Sequence, residues 1–131
     1  HTSDIRGLLL TTDATSSVVA DNSFYGMTLN VMYINGEDTV VSGNRIAEPR
    51  GTAGSGKAES VIRVRSDLGT AVDNVVECAT TSQRGYLFEK SPVIVADNVA
   101  KGCNDSQDPL LWLVVEGPPG ATQLSGNYLY P

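Results

Sequence analysis

The chain has 131 residues, a net charge of −6, two cysteines and 40% apolar residues. That length and composition fit one domain, residues 1–131, able to bury a sound core. The acidic balance argues against nucleic acid and anionic membranes as partners, which are bound through clustered Lys and Arg. No apolar run reaches the roughly 18 residues of a membrane span.

Thirteen Gly, six Pro and many Ser, Thr, Asn and Asp predict an all-β domain rich in turns. The first residues lack the basic n-region and apolar h-region of a signal peptide, so none is expected within them. His1 is the sole histidine. A free N-terminal histidine offers an amine and an imidazole to copper, but a copper brace needs a second histidine. The same shortage argues against a Ser-His-Asp or Cys-His nucleophile, and two cysteines cannot build a four-cysteine zinc site.

In chain order, residues 5–10 and 16–20 read as short strands, the second ending in a turn at Asp21-Asn22-Ser23. Residues 27–42 carry the clearest pattern. Leu29, Val31 and Tyr33 alternate with Thr28, Asn30 and Met32, then Asn35-Gly36 gives a turn signal, and Thr39-Val40-Val41 returns. This predicts a β-hairpin with Leu29, Val31, Tyr33 and Val40 on the core face and Met32, Ile34 and Val41 on the other.

Residues 43–60 read as the longest loop. Gly51 to Lys57 (GTAGSGK) matches the phosphate-cradling G-x-x-x-x-G-K, but Ala58 stands where a magnesium-binding Ser or Thr is needed. No strand is expected before it and no helix after it, so it reads as a glycine loop. Strands are then expected at 61–66, 72–79, 85–89 and 93–96. Residues 98–108 form an amide-rich acidic loop. Residues 110–116 (LLWLVVE) are the most apolar strand, expected at a sheet centre with Trp112 in the core. The turn Gly117-Pro118-Pro119-Gly120 leads to a last strand over 124–130.

Eight to ten short strands at this spacing predict a two-layer antiparallel β-sandwich or jelly roll. The fragments Val19-Ala20-Asp21-Asn22, Ala71-Val72-Asp73-Asn74 and Val95-Ala96-Asp97-Asn98 look alike. Their intervals are unequal, so they read as strand ends meeting Asx turns instead of a fixed-period repeat.

Cys78 and Cys103 are expected to form one disulfide. With scarce lysine and an Asn104-Asp105-Ser106 sequon, that favours a secreted or extracellular-surface location. Asp21, Asn22, Asn104, Asp105 and Asp108 supply hard oxygens suited to a ligand. The Asn104 to Asp108 loop could hold calcium, although it lacks EF-hand spacing and reads first as a solvated turn; no other cofactor is expected. Tyr128 and Tyr130 share a strand face near the end of the sequence and are candidates for an exposed contact.

These features support three functional readings. The first is a non-enzymatic extracytoplasmic module, adhesive or structural, in a surface assembly such as a pilus, a virion or a cell-surface layer, with partner subunits or copies of itself. The second is a lectin-like carbohydrate binder, with or without calcium. The third is a small secreted enzyme or copper protein.

Overall fold

A computed structural model describes residues 8–10, 14–26, 31–47, 61–65, 69–78, 85–90, 94–103, 113–115 and 123–130. Among these residues lie fifteen three-residue strands and no helix. They are β1 (Leu8–Leu10), β2 (Val18–Ala20), β3 (Ser23–Tyr25), β4 (Met32–Ile34), β5 (Val40–Ser42), β6 (Arg45–Ala47), β7 (Ile62–Val64), β8 (Thr70–Val72), β9 (Val75–Glu77), β10 (Tyr86–Phe88), β11 (Ile94–Ala96), β12 (Val99–Lys101), β13 (Leu113–Val115), β14 (Gln123–Ser125) and β15 (Tyr128–Tyr130).

Every pairing among them is parallel. The strands form three five-stranded sheets, ordered β1-β4-β7-β10-β13 (sheet A), β14-β11-β8-β5-β2 (sheet B) and β15-β12-β9-β6-β3 (sheet C). Each sheet takes every third strand, so the chain winds through A, B and C once per turn and then climbs. This is a parallel β-helix of five coils. The expected antiparallel sandwich or jelly roll is therefore wrong. Period-two alternation reports one buried face but cannot tell a sandwich from a coil, because both bury one side of each strand.

The predicted hairpin is the sharpest correction. β4 belongs to sheet A and β5 to sheet B, so the two halves turn a corner and do not pair. The core face is also the opposite one. Met32, Ile34 and Val41 are fully buried, whereas Tyr33 and Val40 are half-buried on the outer side. Val31 is buried as expected, and Leu29 lies outside the described residues. Two stretches expected as single strands hold two each. The segment 72–79 breaks at Asp73-Asn74 between β8 and β9, and 124–130 breaks at Gly126-Asn127 between β14 and β15. The expected loop at 43–60 begins with β6, and 98–108 begins with β12. The strand expected at a sheet centre, β13, is at an edge of sheet A.

One corner fixes the fold. Between sheets B and C each coil turns through two residues: Asp21-Asn22, Gly43-Asn44, Asp73-Asn74, Asp97-Asn98 and Gly126-Asn127. The first of each pair has φ between 54° and 64°, the left-handed region that Asp and Gly tolerate best. At Gly43 any Cβ would also strike the Asp21 carboxylate of the coil beside it.

The second of each pair builds an asparagine ladder. Asn44 Oδ1 accepts from Asn22 N at 3.1 Å and Asn22 Nδ2 at 3.0 Å. Asn44 Nδ2 donates back to Val19 O at 2.9 Å and on to Asn74 Oδ1 at 3.0 Å. The same set recurs from Asn74 to Asn98 and from Asn98 to Asn127. Asn44, Asn74 and Asn98 are fully buried. Each carries four side-chain hydrogen bonds, so the burial leaves no amide group unmatched.

Like residues stack inside the coil. Sheets B and C point their middle residues inward: Val19, Val41, Ala71 and Val95 in B, and Ile46, Val76 and Ala100 in C. Sheet A points its flanking residues inward: Met32, Ile62 and Tyr86 in one row, Ile34, Val64 and Phe88 in the other. Tyr86 carries the only hydroxyl in these rows. Its oxygen lies 2.9 Å from Asn74 O and 2.8 Å from Val99 O, so its proton ties sheet A to the B–C corner across the interior.

Burial raises the Tyr86 phenol pKa well above its ordinary value. A raised phenol pKa contributes stability that is complete below the unfolded value near 10 and is lost as pH rises beyond it. Tyr86→Phe is expected to cost about 1–2 kcal/mol at neutral pH through the lost hydrogen bond. It should also flatten the fall in stability above about pH 10. Urea melts of both proteins at neutral and alkaline pH check this; equal alkaline slopes would count against it.

Candidate functional site

The expected ligand-binding residues fall in three places. Asp21 and Asn22 sit at the B–C corner of the first coil. Asn22 is committed there, its Nδ2 donating to Ala20 O and to Asn44 Oδ1 at 3.0 Å each. Tyr128 and Tyr130 project outward from β15, 56% and 53% exposed, with ring centroids 4.7 Å apart, edge to face. β3 and β15 are opposite edges of sheet C. Four strand spacings, roughly 19 Å, therefore separate the Asp21 corner from the tyrosines. Asn104, Asp105 and Asp108 lie outside the described residues, as do the 51–58 glycine loop and Trp112. Among the described residues no group of three or more His, Cys, Asp or Glu is placed to hold a metal.

Cys78 and Cys103 are joined, with Cα atoms 5.0 Å apart. Cys78 follows β9 and Cys103 follows β12, so the bond clamps adjacent coils where the chain leaves sheet C. Cys78 N also donates to Lys101 O at 2.9 Å.

The outer face of sheet A carries a brace across three coils. Arg63 Nε and Nη2 donate to Glu89 Oε2 and Oε1 at 2.8 and 3.0 Å, a side-on bidentate pair. The Arg63 guanidinium also stands 4.9 Å from the Tyr33 ring centroid. Arg65 Nε lies 3.7 Å from Glu89 Oε2. Its pKa is raised by a hydrogen bond to Tyr33 and then by the Glu89 charge. Two guanidiniums share one carboxylate here, and each is engaged within the protein. We read this cluster as structural.

Among the described residues, further exposed apolar side chains lie in the first and last coils. At one end β14 carries Leu124 at the inward position filled elsewhere by Val19, Val41, Ala71 and Val95, yet Leu124 is 56% exposed. In the first coil the inward counterpart Val19 is buried, and the outward-facing Val18 and Tyr25 are 70% and 67% exposed. The ladder is directional, with each asparagine donating toward the next coil. Asn127 Nδ2 donates to Val95 O at 2.8 Å and, among the described residues, has no further rung to reach. Among the same residues, Asn22 Oδ1 has no rung before it. One end thus presents donors and the other an acceptor.

Sequence reasoning does not single out Leu124 as exposed or Asn127 as the last described rung of the ladder. A signal exists. All five corners share one hexapeptide pattern: an apolar residue, any residue, Asp or Gly, Asn, any residue, an apolar residue. No family model, curated protein or solved structure matches the chain.

Proposed function

We propose that this chain is a non-enzymatic structural module of an extracytoplasmic surface assembly. The observation that carries the reading is the pair of stack ends. Among the described residues both end in parallel edge strands; the inward Leu124 is exposed at one of them, while its counterpart Val19 at the other is buried. Edge strands with unpaired backbone are templates for another chain, and a solenoid whose terminal coil exposes an inward apolar side chain needs a cap or a partner. The disulfide supports the extracytoplasmic part, since such bonds persist in oxidising compartments. The carbohydrate reading draws less support, because the Asp21 corner and the two tyrosines do not converge.

The test is native mass spectrometry with sedimentation velocity over a concentration series, with and without a calcium chelator. Species larger than the monomer should grow with concentration and ignore the chelator. A monomer at every concentration that binds glycans on an array would overturn the proposal.

A further inference from the structure

We propose that the outer face of sheet C binds an acidic polysaccharide, a linear glycan whose carboxylate or sulfate groups are separated by neutral sugars. The site is independent of the assembly reading. It uses neither the Asp21 corner nor anything beyond the first and last coils. Register places the outward residues of sheet C in two rows. One runs Ser23, Arg45, Val75, Val99 and Tyr128; the other runs Tyr25, Ala47, Glu77, Lys101 and Tyr130.

Charge singles out this face. Among the described residues the basic side chains are those of Arg45, Arg63, Arg65, Lys90 and Lys101. Arg63 and Arg65 are held by Glu89 on sheet A, and Lys90 takes part in an interaction of its own. Among the same residues, no hydrogen bond or ion pair engages the side chain of Arg45 or Lys101, and both stand on the outer face of sheet C. Glu77, the acid in these rows, is half-buried and takes part in an interaction of its own. In a chain of net charge −6, two uncommitted cations on one face mark a local attraction for anions.

Aromatic surface lies beside them. Tyr130 is in register with Lys101, about 4.8 Å away, and Tyr128 with Val99. The two phenols are 53% and 56% exposed, with ring centroids 4.7 Å apart. An aromatic face is electron-rich and packs against the C–H face of a pyranose, while the phenol hydroxyl exchanges hydrogen bonds with the sugar's own. The Lys101 ammonium beside the ring then meets the sugar's carboxylate or sulfate. Arg45 lies two strands and two residues from Lys101, about 12 Å away, so the face suits a polymer whose charges are spaced by neutral units. A single-stranded nucleic acid carries a phosphate at every residue and would be repelled by the net charge of −6. The face is also narrow. Its five three-residue strands span about 19 Å by 10 Å, roughly 200 Å². That is a quarter of the roughly 800 Å² a stable protein partner buries on each side, but it accommodates a slender chain crossing the strands.

The test is calorimetric titration of the full chain with hyaluronan, which carries carboxylates, with keratan sulfate, which carries sulfates, and with neutral dextran and oligothymidylate. One or both acidic glycans should bind, more weakly as salt rises, and which one does distinguishes carboxylate from sulfate. Tyr130→Ala and Lys101→Glu should each weaken that binding about fivefold or more, with the circular dichroism spectrum and urea midpoint unchanged because both side chains stand outside the core. Val18→Thr, on the outer face of sheet B, should bind like the parent. No binding to either acidic glycan, equal binding to dextran, a preference for oligothymidylate, or binding indifferent to both sheet C substitutions would each overturn the proposal. Sedimentation velocity on the same samples judges the assembly reading separately. A monomer that binds an acidic glycan through this face overturns that reading and supports this one; an oligomer without affinity for either glycan does the reverse.

Discussion

Asn74→Ala is expected to destabilise the protein by about 3–5 kcal/mol, read as a lowered urea midpoint at an unchanged slope. Asn74 is fully buried in the middle of the ladder. Its Oδ1 accepts from Asn44 N and Asn44 Nδ2 at 3.1 and 3.0 Å, and its Nδ2 donates to Val41 O and Asn98 Oδ1 at 2.9 Å each. Alanine removes all four bonds and strands Asn44 N and Val41 O where water cannot replace the partner. Each stranded buried group costs about 1–3 kcal/mol. Asn74→Asp keeps the size and the acceptor but removes the donor, and it sets a carboxylate against Asn98 Oδ1, so it should be at least as damaging. Asn22→Ala is the contrast. Asn22 is exposed at the first rung, and its loss should cost under about 1 kcal/mol, because water can satisfy the groups it leaves. Equal costs at Asn22 and Asn74 would show that the ladder contributes through the turn conformation alone.

The second large effect is the loss of the Cys78–Cys103 bond. The two cysteines are 25 residues apart. Chain entropy alone gives roughly 3.5 kcal/mol for a loop of that size. The double variant Cys78→Ala, Cys103→Ala should therefore unfold about 3–4 kcal/mol more easily than the parent in guanidinium. The damage should also be local. Coils in a solenoid contact only their neighbours, so exchange protection should fall most in β9 and β12, which flank the bond, and least in β2 and β5. Hydrogen exchange by mass spectrometry resolves the two regions. A stability loss below about 1 kcal/mol would mean that the ladder and stacked core already restrain this part of the unfolded chain.

The strands are largely legible in the sequence; their partners are not. Segments such as Ile62-Arg63-Val64 alternate because one face is buried, and that holds in a coil as in a sandwich. The hairpin reading of 27–42 misleads because Asn35-Gly36 is a strong turn signal in isolation. In the fold neither residue takes positive φ, and the chain simply bends from sheet A to sheet B. Gly36 is needed for another reason: a Cβ there would meet the Ala14 carbonyl of the coil beside it.

The repeat is present in the sequence but irregular. Successive ladder asparagines are 22, 30, 24 and 29 residues apart. A fixed period is the usual mark of a solenoid, but here only the B–C corner is constant. The connections after sheets A and C vary in length without disturbing the stack. Three Asp-Asn fragments alone do not reveal the ladder, because Gly43 and Gly126 replace the aspartate in the other two coils. Tolerance of the left-handed conformation unites Asp and Gly here, not shared chemistry. The last strand is half legible: Tyr128 and Tyr130 stand out as candidates for exposure, but nothing in the sequence singles out Leu124 at the head of the same expected strand.

The disulfide also sets how this chain yields to tension. Its strands lie across the coil axis, so a pull on the two ends peels coils off one at a time, like thread leaving a spool. The covalent clamp interrupts that unspooling. The span from Cys78 to Cys103, a sequence separation of 25, cannot straighten, which withholds about 85 Å of contour length at some 3.4 Å per residue.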